Sequence, residues 1–94
     1  MSGREYHFVF PAIKGAENMT MQEQMAKINE EAYELQMEII SDKKSRRFIL
    51  LEAMNLMHSV ETLFRIMCAT DDELSAAIEE TIYDNQIRGY YGEQ

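Results

Sequence analysis

Between Phe48 and Met67 this chain of 94 residues carries an apolar stretch that restricts its folding more than any other feature. Phe48, Ile49, Leu50, Leu51, Met54, Leu56, Met57, Val60, Leu63, Phe64, Ile66 and Met67 lie on every side of a helix starting near Ser45 or Arg46 and running to about Cys68. A helix apolar all round is either the buried centre of a domain or part of a subunit interface. Four polar residues interrupt it at three-residue steps: Glu52, Asn55, His58 and Glu61. A carboxylate set among Leu50, Leu51, Ala53 and Met54 is costly to bury unless it is paired or holds a metal. This polar stripe therefore calls for a polar partner.

The first helix offers one. Thr20 followed by Glu23 forms a capping-box pattern that starts a helix, which runs to Ile40 or Ser41 before Ser41-Asp42-Lys43-Lys44-Ser45 breaks it. Met21, Met25, Ile28, Ala32, Leu35 and Ile39 recur at helical spacing as its apolar, core-facing stripe. Lys27, Glu31, Glu34 and Glu38 follow a 4-3-4 spacing on another face, with Glu30 to the side. Taken alone, such acids form a solvated surface. Packed antiparallel on the second helix, they bring two polar stripes together, and several carboxylates in one dry cleft need protons or cations. All-oxygen ligands select a hard ion, Mg²⁺ or Mn²⁺, whereas zinc favours Cys and His.

The rest of the chain frames this pair. Thr70 with Glu73 repeats the capping box and starts a third helix over residues 71–87, with Leu74, Ala77, Ile78, Ile82 and Ile87 inward and Gly89 as its stop. Residues 1–19 form an N-terminal arm. Glu5-Tyr6-His7-Phe8-Val9-Phe10 is a short extended segment ended by Pro11, and Lys14-Gly15-Ala16-Glu17-Asn18 is a loop. With 17 acidic against 9 basic residues the chain is a poor partner for nucleic acid. The lone Cys68 reads as a small buried hydrophobe and fits a reducing cytoplasm. No apolar run is long enough for a membrane span, and no signal peptide is recognisable. Lys43, Lys44, Arg46 and Arg47 read as a solvated loop, His58 as a hydrogen-bonded core histidine, and the eight methionines as core filling.

Three motifs resemble those of MazG-like proteins. Glu30-Glu31-Ala32-Tyr33-Glu34 fits the E-E-x-x-E half of that signature, and Glu52-Ala53-Met54-Asn55 stands where the family has E-x-x-D. Asp84-Asn85-Gln86-Ile87-Arg88-Gly89-Tyr90-Tyr91 is similar to the K-N-x-x-R-G-Y-Y ending of many members. The likeness spans residues 20–91 and points to the short, single-domain, often phage-associated members.

The resemblance implies an all-α, MazG-like helical bundle over residues 20–94, completed by homo-oligomerisation into a dimer or tetramer. It implies a nucleoside triphosphate pyrophosphohydrolase that converts a (d)NTP to the monophosphate and pyrophosphate. Glu31, Glu34, Glu52 and Asn55 take the positions of the Mg²⁺ ligands, and Glu30 is the remaining signature acid. Lys27 and Arg88 are the candidate phosphate-binding cations. Asn55 departs from the family pattern by replacing a carboxylate with a neutral amide, so a weakened or non-catalytic nucleotide-binding protein is the alternative expectation.

Overall fold

The computed structural model describes residues 5–43 and 45–92, so Lys44 of the expected basic loop, the first four residues of the arm and the last two of the tail lie outside the described residues. Among the described residues the chain is all-α, with three α-helices and no strand: α1 (Met21–Ile40), α2 (Arg46–Ile66) and α3 (Asp71–Ile87). None of these helices is long and apolar enough to cross a membrane. The chain divides into two compact units, Phe8–Cys68 and the paired segments Met1–His7 and Ala69–Gln94.

The helix starts follow from local chemistry. In α1 the Thr20 hydroxyl accepts the Glu23 N–H at 3.0 Å, and the Glu23 carboxylate accepts the Thr20 N–H at 2.8 Å. In α3 Thr70 and Glu73 exchange the same bonds at 3.1 and 2.9 Å. Each pair satisfies two amides that the first turn leaves without a partner. Ser45 caps α2 by accepting the Phe48 N–H at 3.3 Å. The stop of α3 is a Schellman arrangement. Gly89 turns left-handed at φ 78°, its N–H reaches the Gln86 carbonyl, and the Tyr90 N–H reaches that of Asn85. In the tail Asn85 Nδ2 donates to the Tyr91 hydroxyl at 3.3 Å.

Within residues 8–68, α1 and α2 pack as an antiparallel hairpin. Their register is fixed by Gln24, 1 % exposed, whose Nε2 donates to the Ser59 carbonyl at 2.7 Å. The face of α1 that turns inward is not the expected apolar stripe. Gln24 and Glu31 are buried and Ile28, Leu35 and Glu38 are half-buried, whereas Met21, Met25, Ala32 and Ile39 are exposed. At about 100° per residue the helix is turned by about 60° from its apolar stripe. On α2 the predicted all-round burial is likewise met on one side only: Phe48, Leu50, Leu51, Met54 and Met57 stay exposed.

The arm differs from expectation too. It forms no strand among the described residues, and the expected loop at its end contains a one-turn 3₁₀ helix, Ala16–Asn18. That turn follows Gly15 at φ 83° and seats Ala16 in the interior. In the other unit, Leu74 of the predicted inner face of α3 is buried and Ile78 and Ile82 are half-buried, but Ala77 and Ile87 are exposed.

Cys68 is exposed rather than buried. Helix α2 stops at Ile66, and Cys68 follows the C-cap in the left-handed region at φ 52°, its N–H on the Arg65 carbonyl at 3.0 Å. Glycine adopts that conformation without a Cβ penalty. Cys68→Gly is therefore expected to raise unfolding stability by about 1 kcal/mol, read as a higher urea midpoint at unchanged slope.

Candidate metal and phosphate site

The glutamates of α1 converge where the expected pattern placed them. Carboxylate oxygens of Glu30, Glu31 and Glu34 lie within 4.8 Å of one another. Glu34 lies four residues from Glu30 and three from Glu31, on the adjoining turn, and the adjacent Glu30 and Glu31 both turn to the Lys27 ammonium. Glu31 is buried at the seam with α2, while Glu30 and Glu34 are exposed at its edge. Lys27, one turn earlier, brings its ammonium to 3.0 Å from Glu31 and 3.2 Å from Glu30. The hydrogen bonds that Lys27 donates to Glu31 and then to Glu30 raise its pKa above the ordinary value and hold it as a cation.

The register brings α2 to this cluster. Two turns forward from Gln24 is Glu31, and two turns back from Ser59 is Glu52, so these glutamates stand at one level. Glu34 is held above the usual carboxylate range, chiefly by the charge of Glu31, then by desolvation and the charges of Glu52 and Glu30. Glu52 thus acts on the cluster electrostatically, although it stands outside the group of three converging acids. Beside them a cavity of about 490 Å³ is lined by Lys27, Glu31, Asn55 and His58, with Gln24, Glu23 and Ser59 and the arm residues Ile13 and Met19. Asn55, at the position of the fourth expected ligand, therefore shares one wall with Glu31. Arg88 belongs to the other unit, as the C-cap of α3, with its backbone N–H on the Asp84 and Gln86 carbonyls.

The donor set suits a hard divalent ion. Carboxylate oxygens are the ligands that Mg²⁺ takes, at about 2.0–2.1 Å, in company with several waters. The three donors are carboxylates, one buried and two exposed, which leaves room for water and phosphate oxygens.

The polar stripe of α2 divides between two tasks. Three-residue steps lag the helical repeat by about 60° each, so Glu61 stands about half a turn round from Glu52. Its carboxylate, 4 % exposed, does not face the acids of α1 but accepts the backbone N–H groups of Val9 and Phe10 at 2.8 and 2.9 Å. His58 stacks on the Phe10 ring with centroids 4.8 Å apart, and its Nε2 lies 3.3 Å from the Pro11 carbonyl, in keeping with the expected hydrogen-bonded histidine. Arg65 donates to the Phe10 carbonyl at 2.8 Å and lies over the Phe8 ring at 3.9 Å. Sequence reasoning missed Gln24 and Arg65 altogether. The signal for Arg65 was its place one turn beyond Glu61.

No family model, curated protein or solved structure matches this chain.

The raised pKa of Glu34 predicts a pH dependence. Where the fold raises a carboxyl pKa, the folded state binds more protons than the unfolded one between the two values, so stability falls as pH rises through that window. At neutral pH and without divalent ions, Glu34→Gln is expected to raise the melting midpoint. The gain shrinks as pH falls below the ordinary carboxylate range, and also with added salt. Paired thermal melts across pH check both.

Proposed function

We propose that this chain is a Mg²⁺-dependent, MazG-like nucleotide pyrophosphohydrolase that cuts a (d)NTP between its α- and β-phosphates. The observation that carries the reading is the convergence of Glu30, Glu31 and Glu34 at a seam whose register sets Glu52 level with Glu31. The three are the acids of the E-E-x-x-E segment, and Glu52 of the E-x-x-D-like segment acts on Glu34 through its charge from across the hairpin.

Each side chain has a role in this reading. Glu31, Glu34 and Glu52 hold the ion, and Asn55 lends a carbonyl oxygen. Mg²⁺, when bound, neutralises phosphate oxygens and acidifies water. Glu30 orients the attacking water and takes its proton. Water adds to the α-phosphorus, the bond to the bridging oxygen breaks, and pyrophosphate leaves with that oxygen. Lys27, already a cation beside the cluster, meets the phosphates and leaves Glu30 and Glu31 free for these tasks.

A second reading rests on Asn55 together with the Lys27 pair on Glu31. Both reduce the negative charge available to a divalent ion, which favours a nucleotide-binding protein with weak or no turnover. Asn55→Asp separates the two readings. It is expected to tighten Mg²⁺ binding by about tenfold in either case, but to create or greatly raise turnover under the second reading, which turnover unchanged or lowered in the variant rules out.

The reading includes a homodimer or tetramer. Leu50, Leu51 and Met54 of α2 are exposed together, and Met21 and Met25 of α1 lie beside Met67; exposed apolar groups of this kind suit a protein interface. Sedimentation velocity is expected to give a dimer or tetramer, and Met54→Glu to shift it toward monomer.

Turnover is tested with a panel of NTPs and dNTPs under Mg²⁺ or Mn²⁺, following monophosphate by chromatography. Glu31→Gln is expected to reduce it by about 10²–10³-fold, the scale for losing a preorganised charged group. Absence of monophosphate from every nucleotide, together with a melting midpoint indifferent to Mg²⁺, overturns both readings.

A further inference from the structure

Residues 8–11 of the arm are held by three side chains of α2 through their backbone. Glu61 takes two consecutive N–H groups, Arg65 donates to the carbonyl of Phe10, and His58 reaches that of Pro11 while stacking on the Phe10 ring. Hydrogen bonds to an ionised partner are shorter and stronger than neutral ones, and Glu61 is buried. Such a carboxylate is retained only with its hydrogen bonds satisfied, so the attachment of the arm is specific.

Beyond this attachment the arm is short and constrained. Pro11 has a fixed φ. Ile13, two residues on, accepts the Ala16 N–H at 3.2 Å, and Ala16 is buried. Ile13 and Met19 then appear in the wall of the cavity that also holds Lys27, Glu31 and Asn55. The lining thus combines apolar side chains from the arm with polar and charged ones from the two helices. A nucleotide has the same division, a flat base with apolar faces and an anionic phosphate chain.

We infer that Glu61, His58 and Arg65 form a latch that positions Ile13 and Met19 as the wall receiving the base of a nucleotide, with the phosphates toward Lys27 and the glutamates. The inference rests on the nucleotide reading above and adds the part of the chain that selects the nucleoside. The latch residues are positioning residues. They act through the arm and leave the phosphate end of the cavity to other side chains.

Two measurements on the full chain test it. Amide exchange reads the latch without any ligand: Glu61→Gln is expected to speed exchange at Val9 and Phe10 by about tenfold, leaving mid-helix amides of α1 unchanged. Calorimetry reads the wall, with a dNTP analogue non-hydrolysable between its α- and β-phosphates, the dNTP of the outcomes below, and with inorganic tripolyphosphate, each in MgCl₂. Glu61→Gln and Ile13→Ala are each expected to weaken the dNTP by about tenfold and tripolyphosphate by less than about twofold. Ile13 is 43 % exposed, so its truncation spares the interior if the Glu61 variant fails to fold. Unchanged exchange at Val9 and Phe10 overturns the latch. Equal weakening of both ligands, or of neither, overturns the wall. Wild-type protein that holds tripolyphosphate as tightly as dNTP overturns the wall while sparing the metal and phosphate reading, and protein that holds neither removes both.

Discussion

The hydrogen bond from Gln24 to the Ser59 carbonyl is the constraint on which the helical hairpin depends. Apolar side chains alone let two helices slide past one another by a turn at modest cost, because many pairings of Ile, Leu and Met fill similar volumes. A buried amide does not permit this, since a slip leaves it unsatisfied at a cost of about 1–3 kcal/mol. The bond therefore fixes which residues of α1 and α2 share a level, and Glu31 and Glu52 follow from it by counting two turns along each helix. Moving the register by one turn would take Glu52 away from the level of Glu31 and leave the three acids of α1 together.

The same seam accounts for the odd distribution of polar and apolar side chains. The most deeply buried residues include Gln24, Glu31, Ser59, Glu61 and Thr62, while large apolar groups along α1 and α2 face outward. Buried polar groups are tolerated because they are paired: Gln24 with Ser59, Glu31 with Lys27, Glu61 with the arm, and Thr62 with the His58 carbonyl at 3.0 Å. Among the described residues no buried side-chain nitrogen or oxygen lacks a partner. The interior of residues 8–68 thus combines these hydrogen bonds with half-buried apolar groups such as Ile28, Leu35, Leu56 and Leu63, while other large apolar side chains stay exposed.

Much of this was legible in the sequence where the signal is local. Thr20 with Glu23 and Thr70 with Glu73 mark helix starts through bonds three residues apart, and Gly89 marks a stop through its own backbone freedom. The approach of Glu34 to Glu30 and Glu31 follows from helical spacing. What was not legible depends on tertiary choice. Periodicity reveals that α1 has an apolar stripe but not whether a polar stripe about 60° away packs instead. The division of the α2 stripe was readable in principle from the lag between three-residue steps and the helical repeat, yet its consequence needed a partner for Glu61, and that partner is backbone. An arm recognised through N–H and C=O groups leaves little trace in its side chains. The end of α2 escaped for a related reason: Cys68 has no helix-breaking chemistry and takes a left-handed position where glycine is usual.

The winding stripe also explains how one helix serves two ends of a cavity. Glu52 faces the acids of α1, Asn55 and His58 line the cavity, and Glu61 with Arg65 holds the arm on the other side. A stripe that ran straight along α2 would have placed all its charge against α1, where Glu30, Glu31 and Glu34 already crowd with only Lys27 among them. Turning Glu61 away removes a carboxylate from that crowd and directs its charge to two amides. Asn55 acts in the same direction, as a neutral group between the charged ends. The cavity lining is left with Glu23, Lys27 and Glu31 as its charged groups, beside the neutral Asn55 and the apolar Ile13 and Met19.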